Sequence, residues 1–100
     1  MEKLSLFEFK RVVDNAAKNG AAFVLCRSGH ARREDVYESA FVNASSPQMI
    51  YMASSNGGTA VVCPVKSIVL DEDGTFVVTE AGFGAFGGGT EYKILIKPAK

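Results

Sequence analysis

The sequence holds one histidine, two cysteines, no excess of either charge and no long apolar run, and each shortage removes a class of function. His30 has no Asp, Cys or second His at a ligand spacing, which argues against a zinc site and leaves it without a visible partner as a catalytic base. Cys26 and Cys63 lie inside separate apolar runs and read as small buried hydrophobes, not as a disulfide framework. Eleven Lys or Arg balance eleven Asp or Glu, so no overall field steers the chain onto nucleic acid or anionic lipid. Charges interrupt the chain too often for a membrane span, and Met1-Glu2-Lys3-Leu4-Ser5 leads into no secretory apolar stretch. The expected location is the cytoplasm, with no membrane. No nucleophile elbow, internal repeat or linker is visible, so no catalytic residue, metal or cofactor is expected.

What is present is apolar content of 47% in 100 residues, enough for one core. Residues 1–100 read as a single α+β domain. Charge is unevenly spread: seven basic and three acidic side chains lie between Met1 and Arg33, and one Lys and eight acids between Glu34 and Tyr92. Ser5-Leu6-Phe7-Glu8 is a capping box, with Leu4 and Phe9 placed to staple it. Leu6, Phe9, Val12, Val13, Ala16 and Ala17 then recur on one helical stripe, and Asn19-Gly20 supplies the stop.

Beyond the glycine the period changes to that of strands. Ala21 to Cys26 is a continuous apolar run ending at Arg27. Glu34 to Val42 alternates weakly, with Val36, Ala40 and Val42 on one side and Tyr37 and Phe41 on the other. A loop at 43–47 precedes a short strand over Gln48–Ala53. Thr59 to Leu70 should divide at Pro64, which cannot donate to a ladder. Asp71-Glu72-Asp73-Gly74 before Thr75 to Thr79 is the strongest hairpin signal; it hints at a calcium loop but lacks that loop's closing Glu. Glu91 to Lys97 closes the sheet, with Tyr92, Ile94 and Ile96 facing one way.

The architecture expected is one N-terminal amphipathic helix packed on a strongly curved, mainly antiparallel sheet of five to six strands. Several of these strands are apolar on both faces, more than one helix of about four turns can cover. Either the sheet curls on itself or a second copy or partner protein covers it.

Gly82-Phe83-Gly84-Ala85-Phe86-Gly87-Gly88-Gly89 contains the spacing of a dinucleotide fingerprint, but a strand follows it where that motif needs a helix. From Gly82 through Lys97 the chain resembles the glycine-rich loop and following strand of protein kinases, with Lys97 near the place of their phosphate-pairing lysine. The resemblance spans sixteen residues and departs from the family, since three residues follow Lys97 and leave out the catalytic loop and metal-binding acid of those enzymes; nucleotide binding by the loop would instead rest on its clustered glycines, whose backbone amides can form an anion-binding nest. The plainer reading is a hairpin loop in which Phe83 and Phe86 pack on the core or enter a partner.

Arg27, His30, Arg32 and Arg33 form a basic turn suited to an anion, although Glu34, Asp35 and Glu38 follow at once. On the helix, Phe7 falls opposite the apolar stripe beside Arg11, Asp14 and Lys18, which makes it a candidate contact residue. The leading functional expectation is a non-enzymatic interaction module, an accessory or inhibitor protein that binds a protein partner or itself as a homodimer. Its contacts would be Phe7, Arg11, Lys18, Phe83 and Phe86. One setting consistent with this is a small protein carried by phages or mobile elements to block host machinery. The alternatives are a nucleic-acid-binding domain using Lys10, Arg11, Lys18, Arg27, Arg32 and Arg33, and nucleotide or small-ligand binding at Gly-rich loop 82–89.

Overall fold

A helix leaves its first amides without intrahelical partners, and Ser5 and Glu8 satisfy two of them reciprocally. In a computed structural model, which describes residues 2–27, 34–46, 48–81 and 90–99, the Glu8 amide donates to Ser5 Oγ at 3.1 Å and the Ser5 amide to Glu8 Oε1 at 2.9 Å. Helix α1 runs from there over Leu6–Lys18. It ends in a Schellman motif: the Gly20 amide donates to Ala17 O at 3.1 Å and the Ala21 amide to Ala16 O at 3.0 Å. Gly20, at φ +76°, takes the left-handed position that this stop requires.

A three-residue strand, β1 (Glu2–Leu4), precedes the helix; it is too short to show a period, so the residue pattern does not reveal it. The remaining strands are β2 (Ala22–Arg27), β3 (Glu34–Tyr37), β4 (Ser39–Asn43), β5 (Met49–Ala53), β6 (Thr59–Val62), β7 (Val65–Leu70), β8 (Phe76–Glu80) and β9 (Glu91–Lys97). Every pairing is antiparallel. They form a six-stranded sheet in the order β1-β7-β8-β9-β2-β3 and a three-stranded sheet in the order β4-β5-β6.

The chain changes sheet at two bends. Glu38 separates β3 from β4, and Cys63-Pro64 separates β6 from β7, where Pro64 has no N–H to continue a ladder. Each bend is tied down from outside its strand. The Glu38 carboxylate accepts from the Ser55 amide and, at 3.2 Å, from the Ser55 hydroxyl in the β5–β6 turn. Glu80 Oε2 accepts from the Cys63 amide at 3.1 Å, and Pro64 O from the Ala81 amide at 2.9 Å.

Two expectations need correction. The α+β architecture stands, with one N-terminal helix and an antiparallel sheet of six strands among the described residues, but that sheet is not strongly curled and a second, three-stranded sheet accompanies it. The facing assigned to Glu34–Val42 also fails: Tyr37 and Val42 are both buried, whereas Val36 and Phe41 are both exposed. The bend at Glu38 shifts the two-residue phase, so odd positions point inward before it and even positions after it.

The division into two sheets supplies cover that the helix alone could not. Phe23 and Leu25 of β2, Ile68 of β7, Phe76 and Val78 of β8 and Ile94 of β9 share one buried cluster with Val42, Ile50, Met52 and Val62 of the small sheet. Leu6, Phe9 and Val13 of α1 join it, the helix packing mostly along β4. Phe9 and Phe76 meet edge to face at a centroid distance of 5.1 Å, tying the helix to the large sheet. The inner face of the large sheet is thus covered from within the chain.

Candidate functional site

Burying Val42, Ile50, Met52, Ala60 and Val62, with Ala40 half-buried beside them, turns the alternate residues of β4, β5 and β6 outward. Register then lines them up across the strands. Phe41 stands opposite Tyr51, and Tyr51 opposite Val61, a row that crosses the whole three-stranded sheet. All three are exposed: Phe41 by 53%, Tyr51 by 37% and Val61 by 44%. Ser39, Ala53 and Thr59 flank the row on one side, Asn43 and Met49 on the other, so no residue of this face carries a charge. The outward face of the large sheet differs. It carries charge, with Lys3, Glu34, Lys93 and Lys97 standing among Val36, Val69, Val77 and Leu95, while Val24 is buried between Val36 and Leu95.

The row continues onto α1. Lys10 Nζ lies 5.4 Å from the centroid of the Phe41 ring and 3.0 Å from Asp14 Oδ2. A cation over an aromatic face at this distance is attracted by the ring quadrupole, and the (i, i+4) pair with Asp14 holds the ammonium in place. Phe7, exposed by 70%, sits one helical turn before Lys10 on the same flank. Phe7, Lys10, Arg11 and Asp14 line one shallow depression there.

No family model, curated protein or solved structure matches this chain. Its site therefore has to be judged on its own geometry.

Of the residues singled out in the sequence, Phe7, Arg11 and Lys18 are exposed on α1, and the structure brings Phe7 and Arg11 together. Arg27 ends β2 opposite Tyr92. His30, Arg32 and Arg33 of the basic turn lie outside the described residues, as do Phe83, Phe86 and the whole stretch 82–89. The cations of the helix alternate with Glu8 and Asp14, so α1 presents no face of one sign. Cys26 and Cys63 are both free and half-buried, Cys26 on the outward face of β2 between Glu34 and Lys93.

The residue pattern does not single out Phe41, Tyr51 and Val61. Each is one apolar residue in an alternating strand, and only the register shows that they are neighbours. Two carboxylates have altered acidity. Hydrogen bonding to Ser5, chiefly to its backbone amide, holds Glu8 below its ordinary value of 4.5, and the Thr75 amide, donating to Asp73 Oδ1 at 3.0 Å, holds Asp73 below 3.8. Both belong to turns, one starting α1 and the other joining β7 to β8.

Proposed function

We propose that this chain is a non-enzymatic protein-interaction module whose contact face is the outward side of β4-β5-β6, extended by Lys10 and Phe7 of α1, and whose occupant is a second copy of the chain. The observation that carries this reading is the row Phe41–Tyr51–Val61, three large apolar side chains exposed side by side on a face without charge. Aromatic residues set in an uncharged centre are what protein interfaces enrich.

A second copy fits for an electrostatic reason. A two-fold interface places each patch against itself, so a charged patch meets like charge; the sheet row here carries none, and on the α1 flank Lys10 is paired with Asp14 of its own chain. The chain's formal net charge of zero removes long-range repulsion between copies as well. Size limits the strength. Three strands about 4.8 Å apart and five residues long cover roughly 230 Å², well below the ~800 Å² per partner of a standard interface. The flank of α1 is needed to enlarge the contact, and the pairing is reversible. In the cell, taken to be the cytoplasm, such a module acts as an accessory or inhibitor protein by occupying a surface.

Gel filtration coupled to light scattering, run over a range of concentrations, tests the reading. The expected result is a mass that rises from monomer toward dimer, and a monomer under the same conditions for Phe41→Lys. A mass that stays monomeric up to about millimolar protein would overturn it, since that sets association weaker than about 4 kcal/mol.

A further inference from the structure

A cleft of about 300 Å³ opens where β1 enters α1 and runs beside the start of β7. Leu6, Val65 and Ile68, all buried, form its floor, while Lys3 and Lys66 stand on its rim. No carboxylate lines it, and among the described residues neither lysine is joined to one in an ion pair. Both lysines are exposed, so the cleft has a basic rim with no acid lining it.

Lys66 is placed by a specific device. Val65 pairs with Glu80 and Ser67 with Thr79, so Lys66 is the extra residue of a bulge in β7. A bulge takes a residue out of the ladder and re-aims its side chain. Here it leaves Lys66 on the cleft with Lys3, from the neighbouring edge strand, and with the Ser67 and Gln48 side chains. The exposed ring of Phe7 closes one side. The first turn of α1 is not the anion site, because Ser5 and Glu8 already occupy one another in the capping box.

We infer that this cleft binds a small aromatic phosphate, a nucleoside monophosphate in chemical class, with the phosphate between Lys3 and Lys66 and the base against Phe7. Two lysines supply the charge that a phosphate dianion needs, and an exposed phenyl ring gives a base a stacking surface. The volume stands at the lower end of small-ligand pockets, which favours a mononucleotide over anything larger. Lys3 and Lys66 lie apart from the Phe41–Tyr51–Val61 row, but Phe7 is shared with the α1 flank of the proposed self-association face, so the titration is run on dilute, monomeric chain to separate the two readings.

The test is a titration of the full chain with adenosine monophosphate, followed by amide chemical shifts. The expected result is saturable shifts centred on Lys3, Phe7 and Lys66. Lys66→Glu, a change at an exposed side chain, weakens binding by about ten- to a hundredfold, the loss of one charge-assisted contact. Phe7→Ala weakens the nucleotide while leaving inorganic phosphate unchanged. Shifts that bypass these residues, or equal affinity in Lys66→Glu, overturn the assignment. So does inorganic phosphate binding as tightly as the nucleotide, because the ring would then add nothing.

Discussion

Phe7 and Phe9 are two residues apart on the same helix and have opposite environments. Phe9 is fully buried against Phe76 between helix and sheet; Phe7 faces water. Phe9→Ala should therefore cost about 3–5 kcal/mol by lost transfer energy and residual cavity, and Phe7→Ala within about 0.5 kcal/mol of nothing. Urea denaturation of both variants measures the contrast; comparable losses would mean that Phe7 belongs to the core. Glu8 sets a pH dependence at the same scale. Its folded pKa is held below the ordinary 4.5, mainly by the hydrogen bond from the Ser5 amide, so its contribution to α1 is complete above 4.5 and is lost as pH falls from there through the lower folded value. Glu8→Gln keeps the capping geometry but cannot titrate, and circular dichroism between pH 5 and 2, a range of about three units spanning that window, should show less acid sensitivity of the helix in the variant.

Elements that carry their own punctuation are legible from the residues alone. The capping box starts α1 at Leu6, Gly20 stops it, and Gly74, at φ +86°, turns the β7–β8 hairpin, where the Asp71 amide donates to Thr75 O at 2.8 Å. A methyl group added at Gly74 would touch nothing within 4 Å, so Gly74→Ala isolates the backbone term. It should destabilise by about 1–2 kcal/mol, with Gly74→Asn costing less because Asn tolerates left-handed backbone. Thermal unfolding of the pair checks this, and equal stabilities would show that the turn relaxes to another form. The corner at Pro64 is legible as a break but not as a junction between sheets. Its Cys63 amide depends on Glu80, seventeen residues away, so Glu80→Ala should cost about 1–3 kcal/mol by leaving a half-buried donor unpaired, and Glu80→Gln should recover most of it. Failure of Gln to rescue would mean that the carboxylate's charge matters, not its acceptor.

At the scale of the whole molecule, the apolar excess seen in the strands is partly resolved inside the chain, since β4-β5-β6 covers the inner face of the large sheet together with α1. Among the described residues, the exposed large apolar side chains outside the helix are the cross-strand row Phe41–Tyr51–Val61 and, on the large sheet, Val36. Association through an uncharged row has no ion pair for salt to screen. The self-association proposed above should persist, or strengthen, at about 1 M salt, where the Debye length is ~3 Å. Sedimentation at low and high salt measures this, and dissociation at high salt would move the interface to the charged helix cations. Where the helix begins and ends, where the Asp-Gly hairpin turns and most of the strand runs, β1 and the break at Glu38 excepted, follow from local residue order, because capping, left-handed glycine and two-residue alternation act within a few neighbours. The separation of the strands into two sheets, and the meeting of Phe41, Tyr51 and Val61 on one face, come from long-range packing. These three are ten residues apart along the chain, and their alignment depends on pairing register and on the phase shift at Glu38, neither of which is written in any local window.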